Sequence, residues 1–263
     1  MALNPPLPPW SECRLWIIGA STGIGAATAR ALLAQGARVA ISARKADQLA
    51  EVASAANDAT HALIEPLDFT DSTQVAAAWD RVRHAWGGID LVLVVAGTHD
   101  EIRAWELTEA KAMALLHTNL HGVIGTVATV LPELLAQSRG ALGIVASVAG
   151  YRGLPKALIY GASKAALINF TETLYLDLHP RGFGVYLINP GFVRTPLTDQ
   201  NDFQMPHLIS AEEAAASLIA GLRAGKFEID FPKAFTRQLK LLRVLPYSLY
   251  FAIVGRATRD LEK

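Results

Sequence analysis

Two kinds of segment alternate along most of this chain, and that alternation leaves few folds open. Short runs rich in Ile, Val and Leu, at residues 14–18, 38–42, 61–67, 90–95, 141–146, 185–188 and 227–231, are separated by long stretches rich in Ala and Leu. The run from Leu91 to Val95 has no polar alternate, which predicts a strand covered on both faces. The longer stretches predict helices at 23–35, 45–56, 72–86, 158–178 and 211–223, the first ended by Gly36. Asp71 and Gln74 are spaced like a capping box ahead of the third helix. Pro66 puts the third strand near a sheet edge. Residues 106–137 read as two successive helices or one kinked helix, because Gly122 and Gly125 weaken the middle and Pro132 lacks a donor. Seven strands separated by helices, without a break in composition, imply an α/β fold. Its expected form is a single doubly wound, seven-stranded, mostly parallel sheet with helices on both faces and right-handed crossovers.

Composition narrows the function classes. The 263 residues are 51% hydrophobic and 18% charged, a core-rich balance that excludes disorder for most of the chain. Twenty-four basic and 24 acidic residues argue against a nucleic-acid binder working by bulk charge. The single cysteine, Cys13, excludes an internal disulfide framework and a zinc site of several thiolates, and points to a reducing cytoplasm. No metal cluster is expected. The proline-rich start lacks the basic region of a signal peptide. No run is expected to reach the roughly 18 apolar residues of a membrane span; the longest, 244–255, contains Pro246. The neutral total is uneven. Residues 1–231 hold 17 basic and 22 acidic side chains, whereas residues 232–263 hold 7 and 2.

Between the first strand and first helix lies Gly19-Ala20-Ser21-Thr22-Gly23-Ile24-Gly25. Gly19 permits a tight turn, Gly23 lets backbone approach a pyrophosphate, and Gly25 allows the helix to pack closely on the strand. The helix N-terminus then offers free N–H groups and partial positive charge to phosphates. The spacing is Gly-x-x-x-Gly-x-Gly. In this it resembles the short-chain dehydrogenase/reductase family, over about residues 14–197 in order and more loosely beyond. The resemblance implies a Rossmann-type domain over 1–231 that binds dinucleotide and substrate. Residues 232–263 form a basic, amphipathic C-terminal extension of the same domain.

Tyr160 and Lys164 form a Tyr-x-x-x-Lys pair, and four residues along a helix place both on one face. A tyrosine with an ordinary pKa of about 10 is a poor acid/base at neutral pH, and a nearby ammonium lowers that value. Ser147 ends the fifth strand, where a hydroxyl can hold a carbonyl or alcohol oxygen. By resemblance, Asn119 completes the catalytic set Asn119, Ser147, Tyr160 and Lys164 and holds a water beside the lysine, and Lys164 also binds the nicotinamide ribose. The implied reaction is hydride transfer between a nicotinamide cofactor and a carbonyl or secondary alcohol, with Tyr160 as general acid/base.

The resemblance also marks the cofactor wall. The family's NAD enzymes usually carry an acid at the end of the second strand. This chain reads Ile41-Ser42-Ala43-Arg44-Lys45 there. A guanidinium can pair with a 2′-phosphate, so NADP is expected, with Arg44 as its main contact and Ser42 as a helper; NAD is the alternative. Arg44 and Lys45 merely solvating a helix start is the competing explanation. Thr22 stands where many NADP-preferring relatives have a basic residue. Asp68, next to Phe69, takes the adenine amino group by resemblance, against a turn or capping role. Val94-Val95-Ala96-Gly97 replaces the family's Asn-Asn-Ala-Gly. Pro190, Gly191, Val193 and Thr195 are placed over the nicotinamide.

Residues 197–210, with Phe203, Met205, Pro206, His207, Leu208 and Ile209, form a lid in relatives, and their apolar content suggests a hydrophobic substrate. His99 and His207 read as structural. For the tail beyond residue 231, pocket closure, an oligomer contact and an anionic membrane surface are equally open. A homodimer or homotetramer is expected by resemblance only. Two further functions compete with the oxidoreductase: a non-catalytic dinucleotide sensor or scaffold, and an S-adenosylmethionine enzyme on a similar sheet. Neither needs Ser147, Tyr160 and Lys164 together.

Overall fold

The computed structural model describes residues 2–199 and 205–258. Phe203 of the expected lid, and the last five residues of the tail, lie outside the described residues. Seven strands form one all-parallel sheet: β1 Arg14–Ile18, β2 Arg38–Ser42, β3 Ala62–Ile64, β4 Leu91–Val94, β5 Ala141–Val145, β6 Gly184–Pro190 and β7 Glu228–Phe231. Their spatial order is β3-β2-β1-β4-β5-β6-β7. The order reverses between β1 and β4, and at such a switch point the strand ends splay into a crevice.

Alternate residues of each strand feed two cores. Leu15, Ile17, Val39, Ile41, Leu91 and Leu93 point to one face. There they meet α1 Gly23–Ala34, α2 Ala46–Ala53 and α7 Ala211–Arg223. Trp16, Ile18, Ala40, Val92, Val94 and Ile144 point to the other. They pack on α3 Ser72–Trp86, α5 Gly122–Gln137 and α6 Leu158–Leu178. Burial on both faces explains why these strands lack polar alternates.

Three expectations need correction. The third strand is short, three residues at the sheet edge; the Glu65 and Leu67 N–H groups still donate to Ile41 and Ala43 O, each at 3.0 Å, which leaves Pro66, with no donor, on the open side of the edge. Asp71 caps α3, accepting from the Thr73 and Gln74 N–H groups, but Gln74 does not return to the Asp71 backbone. Its Oε1 instead accepts from the Asp68 N–H at 3.0 Å. The 106–137 segment is one helical run, α4 Glu109–Leu116, a π turn His117–His121, then α5. This run, 29 residues from Glu109 to Gln137, is long and apolar enough by length and composition to cross a membrane, which the sequence reading did not anticipate. In the fold it is a core helix, burying Asn119, Val123, Val127, Val130 and Leu134.

The tail forms α8 Lys233–Arg243 and α9 Tyr247–Ala257. Asp230 on β7 accepts from Lys233 at 2.6 Å and from the Thr236 hydroxyl, and pairs with Lys240 at 3.1 Å. Glu228 binds Lys240 at 2.7 Å, the Tyr151 hydroxyl at 2.5 Å and Asn189 at 2.8 Å.

The start of β1 is fixed to the start of β4 by Arg14 and Asp90. The guanidinium donates to both carboxylate oxygens at 2.9 and 2.6 Å, and the Arg14 backbone N–H adds a third bond at 3.0 Å. The side chains are only 11% and 7% exposed. Removing one partner of such a buried pair strands the other, which costs about 3–5 kcal/mol. Asp90→Ala should therefore lower the unfolding free energy by an amount in that range, read as a lower urea midpoint with an unchanged slope; an unchanged midpoint would refute the assignment.

Candidate active site

The crevice begins where β1 ends. Gly19 has φ +91°, and a Cβ there would lie 2.4 Å from the Ala96 nitrogen. No side chain fits between the two strand ends, which are joined by the Val95 and Ala96 N–H groups donating to Ile18 O at 2.8 and 3.0 Å. Gly25 is equally constrained, since a Cβ would fall 2.1 Å from Gly19 O. The first turn of α1 therefore sits directly on the glycine turn. Its N-cap, Thr22, makes no side-chain cap bond, so the first amides of α1 remain available to an anion.

The resulting cleft has a volume of about 720 Å³ and is lined by Gly19, Ser21, Thr22, Gly23, Ile24 and Gly25 at one side. Arg44, Asp68 and Phe69 line a second stretch, followed by Ala96 and Gly97. Ser147, Tyr160, Lys164, Pro190, Gly191, Val193 and Thr195 complete it. Nearly all the expected site residues thus converge. Ser42 does not line the cleft and is a correction: it is fully buried, and its Oγ accepts from Trp16 Nε1 at 2.8 Å. Asn119 also stands behind the wall. Gln48 and Thr118, which the sequence reading did not single out, line the cleft.

Ser147 follows β5 and caps a short 3-10 turn, its Oγ accepting from the Ala149 N–H at 3.1 Å and donating to Pro190 O at 3.4 Å. Tyr160 lies in the first turn of α6, with Ser147 near enough to act on its hydroxyl. Lys164, one helical turn on, is 4% exposed and donates to Val145 O at 3.1 Å. Asn119 in the π turn pairs with the backbone of Thr98 in both directions, at 2.7 and 2.8 Å. Gly97 gives these groups room, since a Cβ there would come 3.3 Å from Asn119 Oδ1 and 3.4 Å from Lys164 Nζ. Thr195 closes over the glycine turn, its methyl 2.8 Å from where a Gly23 Cβ would be.

The electrostatics depart from the sequence expectation. Burial pushes the Tyr160 hydroxyl up, and the Ser147 hydrogen bond pulls it only partly back. Tyr160 keeps some exposed area at the cleft, but protein surrounds it densely enough for desolvation to win. The Lys164 ammonium does not lower it here. Its Nζ is turned to the Val145 carbonyl and lies 5.7 Å from the Tyr160 ring centre. Burial brings Lys164 itself down to about 8.

Asp68 makes the turn contacts left open by the sequence. Its Oδ1 accepts from the Thr70 N–H at 2.9 Å and hydroxyl at 2.7 Å, which holds the carboxyl below its ordinary range. His99 meets Tyr160 edge-on, ring centres 4.6 Å apart, and burial holds its imidazole toward the neutral form. Its place just beyond the end of β4, the strand flanking the switch point, was the available signal. His207 stands against Phe235, with 6.4 Å between ring centres.

The glycine turn with free helix amides, the space at Gly97 and the lysine behind it fit a nicotinamide dinucleotide. Comparison with known proteins agrees. The profile of the short chain dehydrogenase family matches residues 14–205. An uncharacterized oxidoreductase of Myxococcus xanthus is 35% identical over 91% of this chain and 95% of its own length. A short-chain dehydrogenase from Streptomyces avermitilis superposes with a TM-score of 0.78 at 21% identity, covering 95% of this chain and 99% of that one. An actinorhodin polyketide ketoreductase solved with NADPH gives 0.76 at 23% identity, covering 86% and 98%; these two likenesses speak to the fold. The motifs, the sheet order and the profile converge, and the chain belongs to the short-chain dehydrogenase/reductase family of oxidoreductases.

Proposed function

We propose that this chain is an NADP-preferring reductase or dehydrogenase of a carbonyl or secondary alcohol, with Tyr160 as general acid/base. The observation that carries the reading is the meeting of Ser147, Tyr160 and Lys164 in one cleft with the glycine turn. A bound nicotinamide supplies or accepts the hydride. The chain's own part is proton and charge placement. Ser147 holds the substrate oxygen beside the Tyr160 hydroxyl, which gives its proton to a developing alkoxide or takes one from an alcohol. Raised by burial, Tyr160 begins as a neutral phenol, the form suited to donating in the reductive direction. Lys164 behind it supplies a positive charge that stabilises phenolate once the proton has left. Asn119, clamped to Thr98, fixes the wall beside Lys164. A non-catalytic sensor or scaffold would have no use for this arrangement.

The cofactor preference is supported by charge at the start of α2. Arg44 and Lys45 are exposed there, and Lys45 as N-cap makes no side-chain cap bond. Two cations at a helix N-terminus oppose the helix dipole, and Asp47 in the first turn offsets only part of that charge. An anion bound between them and the free amides removes that conflict, and a ribose 2′-phosphate is such an anion. The cytoplasm, a homodimer or homotetramer and a hydrophobic substrate belong to the same reading. They are supported by the buried lone thiol of Cys13, by Met113, Ile124 and Leu176 exposed along the long helices, and by the apolar lid sequence.

Three measurements test this. Tyr160→Phe should lower turnover by roughly 10²–10⁴-fold on whichever ketone, steroid or acyl thioester the wild type reduces, with NADPH binding by tryptophan fluorescence nearly unchanged; near-normal turnover sinks the assignment. Arg44→Ala should weaken NADPH binding roughly tenfold or more and leave NADH unaffected, whereas equal affinities in both proteins would refute the preference. The third concerns the buried ammonium. With Lys164 lowered from 10.5 to about 8 on folding, the unfolded chain holds a proton that the folded one releases between these values. Stability from this group therefore rises with pH across that window. Lys164→Met lacks this term. Its melting temperature should exceed wild type near pH 7, and the gap should narrow toward pH 10; a gap independent of pH contradicts the burial of a charge.

A further inference from the structure

Helix α9 has no polar face. Its sequence, Tyr-Ser-Leu-Tyr-Phe-Ala-Ile-Val-Gly-Arg-Ala, contains one charged residue, and a helix apolar all round is one that something covers on every side. The fold covers only one side. Tyr250 and Val254 are buried, while Tyr247, Leu249, Phe251 and Ile253 are exposed, joined by Leu241 and Val244 from the end of α8 and the turn that follows. Tyr247 and Phe251 stack one turn apart at 5.7 Å, and Leu249 and Ile253 form a second exposed pair at the same spacing.

The uncovered face is held rigidly. The Arg152 guanidinium donates to the carbonyls of Leu242, Arg243 and Leu245 at 3.0, 3.3 and 2.6 Å, and lies 4.1 and 4.6 Å from the Tyr250 and Tyr247 rings. The Tyr250 hydroxyl donates to Gly153 O at 2.5 Å. The inner side of α9 is thus fastened to the loop that follows Ser147, and its outer side faces away from the protein.

Charge selects the occupant. Residues 232–258 contain five cations and no acid. Lys233 and Lys240 are consumed by Asp230 and Glu228. Arg237 and Arg256 are exposed, without an acidic partner among the described residues, whereas Arg243, also exposed, stands 5.9 Å from the Tyr151 ring centre. A second copy of this face would bring like charges together across a two-fold axis. An anionic bilayer satisfies both features, with headgroup phosphates for the arginines and the interfacial layer for aromatic and aliphatic side chains. We propose that α9 and the end of α8 dock this protein onto an anionic membrane surface, with the loop after Ser147 directly behind the contact. This does not depend on the catalytic reading.

Vesicle flotation of the full-length protein tests it. The protein should float with phosphatidylglycerol-containing vesicles, bind pure phosphatidylcholine weakly, and lose binding in high salt. Leu249→Gln with Ile253→Gln, and separately Arg237→Gln with Arg256→Gln, should each weaken binding roughly tenfold or more, with melting temperature and turnover on a soluble substrate retained. Absence of binding to anionic vesicles overturns the proposal, as does binding that neither variant alters. So does a fall in oligomeric mass by light scattering in the Leu249/Ile253 variant without vesicle binding in the wild type, which would assign the face to a second copy.

Discussion

The close approach of β1 and β4 at Gly19 is the constraint on which the other features depend. Without a Cβ at that position the two strand ends come together, and the Val95 and Ala96 amides close onto Ile18 O. The chain then leaves β1 in one direction and β4 in the other, opening the crevice. Everything at the site takes its place from that line. α1 points its free amides along it, Gly97 leaves space beside it, and Ser147 and Tyr160 come from the next strand and its helix. The Arg14–Asp90 pair sets the same two strands at their opposite ends. A glycine at one end and a buried ion pair at the other thus hold the switch point in register.

Within that frame the site stores electrostatic cost. A lysine at 4% exposure with one carbonyl acceptor is expensive to keep charged. A tyrosine in the same dense surroundings resists becoming phenolate. Each group alone is shifted away from the form that base catalysis wants. Together they are complementary, because charging one offsets the cost of charging the other. That coupling is absent while Nζ faces Val145.

How legible this was in the sequence depended on the range of the interactions. Strands buried on both faces, such as Leu91 to Val94, advertise themselves by the absence of polar alternates, and the glycine turn by its spacing. Features decided by distant partners did not show. The π turn at His117–His121 is held where Asn119 pairs with the backbone of Thr98, and no local propensity encodes that pairing. Ser42 read as a cofactor helper because it ends β2, but Trp16 on β1 claims its hydroxyl. His99 read as an isolated histidine until α6 brought Tyr160 against its edge. Lys164 lines the cleft with Tyr160, yet the direction of its ammonium, and so its effect on Tyr160, is set by a carbonyl on β5.

The neutral net charge conceals a division of labour in the tail. Two of its cations face inward, where Lys233 and Lys240 neutralise the acids at the end of β7 and seat α8 on the sheet. Through Glu228 the same cluster reaches Tyr151 and Asn189, which flank the Ser147 loop and the Pro190-Gly191 turn. Arg152, from the loop beside Tyr151, binds the far end of α8 and the aromatic rings of α9. The tail is therefore tied to the active-site loops at two points by polar contacts, while its apolar side chains are left largely outside. Hydrophobic burial within the chain would have produced the opposite arrangement, apolar groups inside and arginines spread over the surface. An outward apolar face edged by arginines is the pattern expected when the medium it meets is itself apolar within and anionic at its surface.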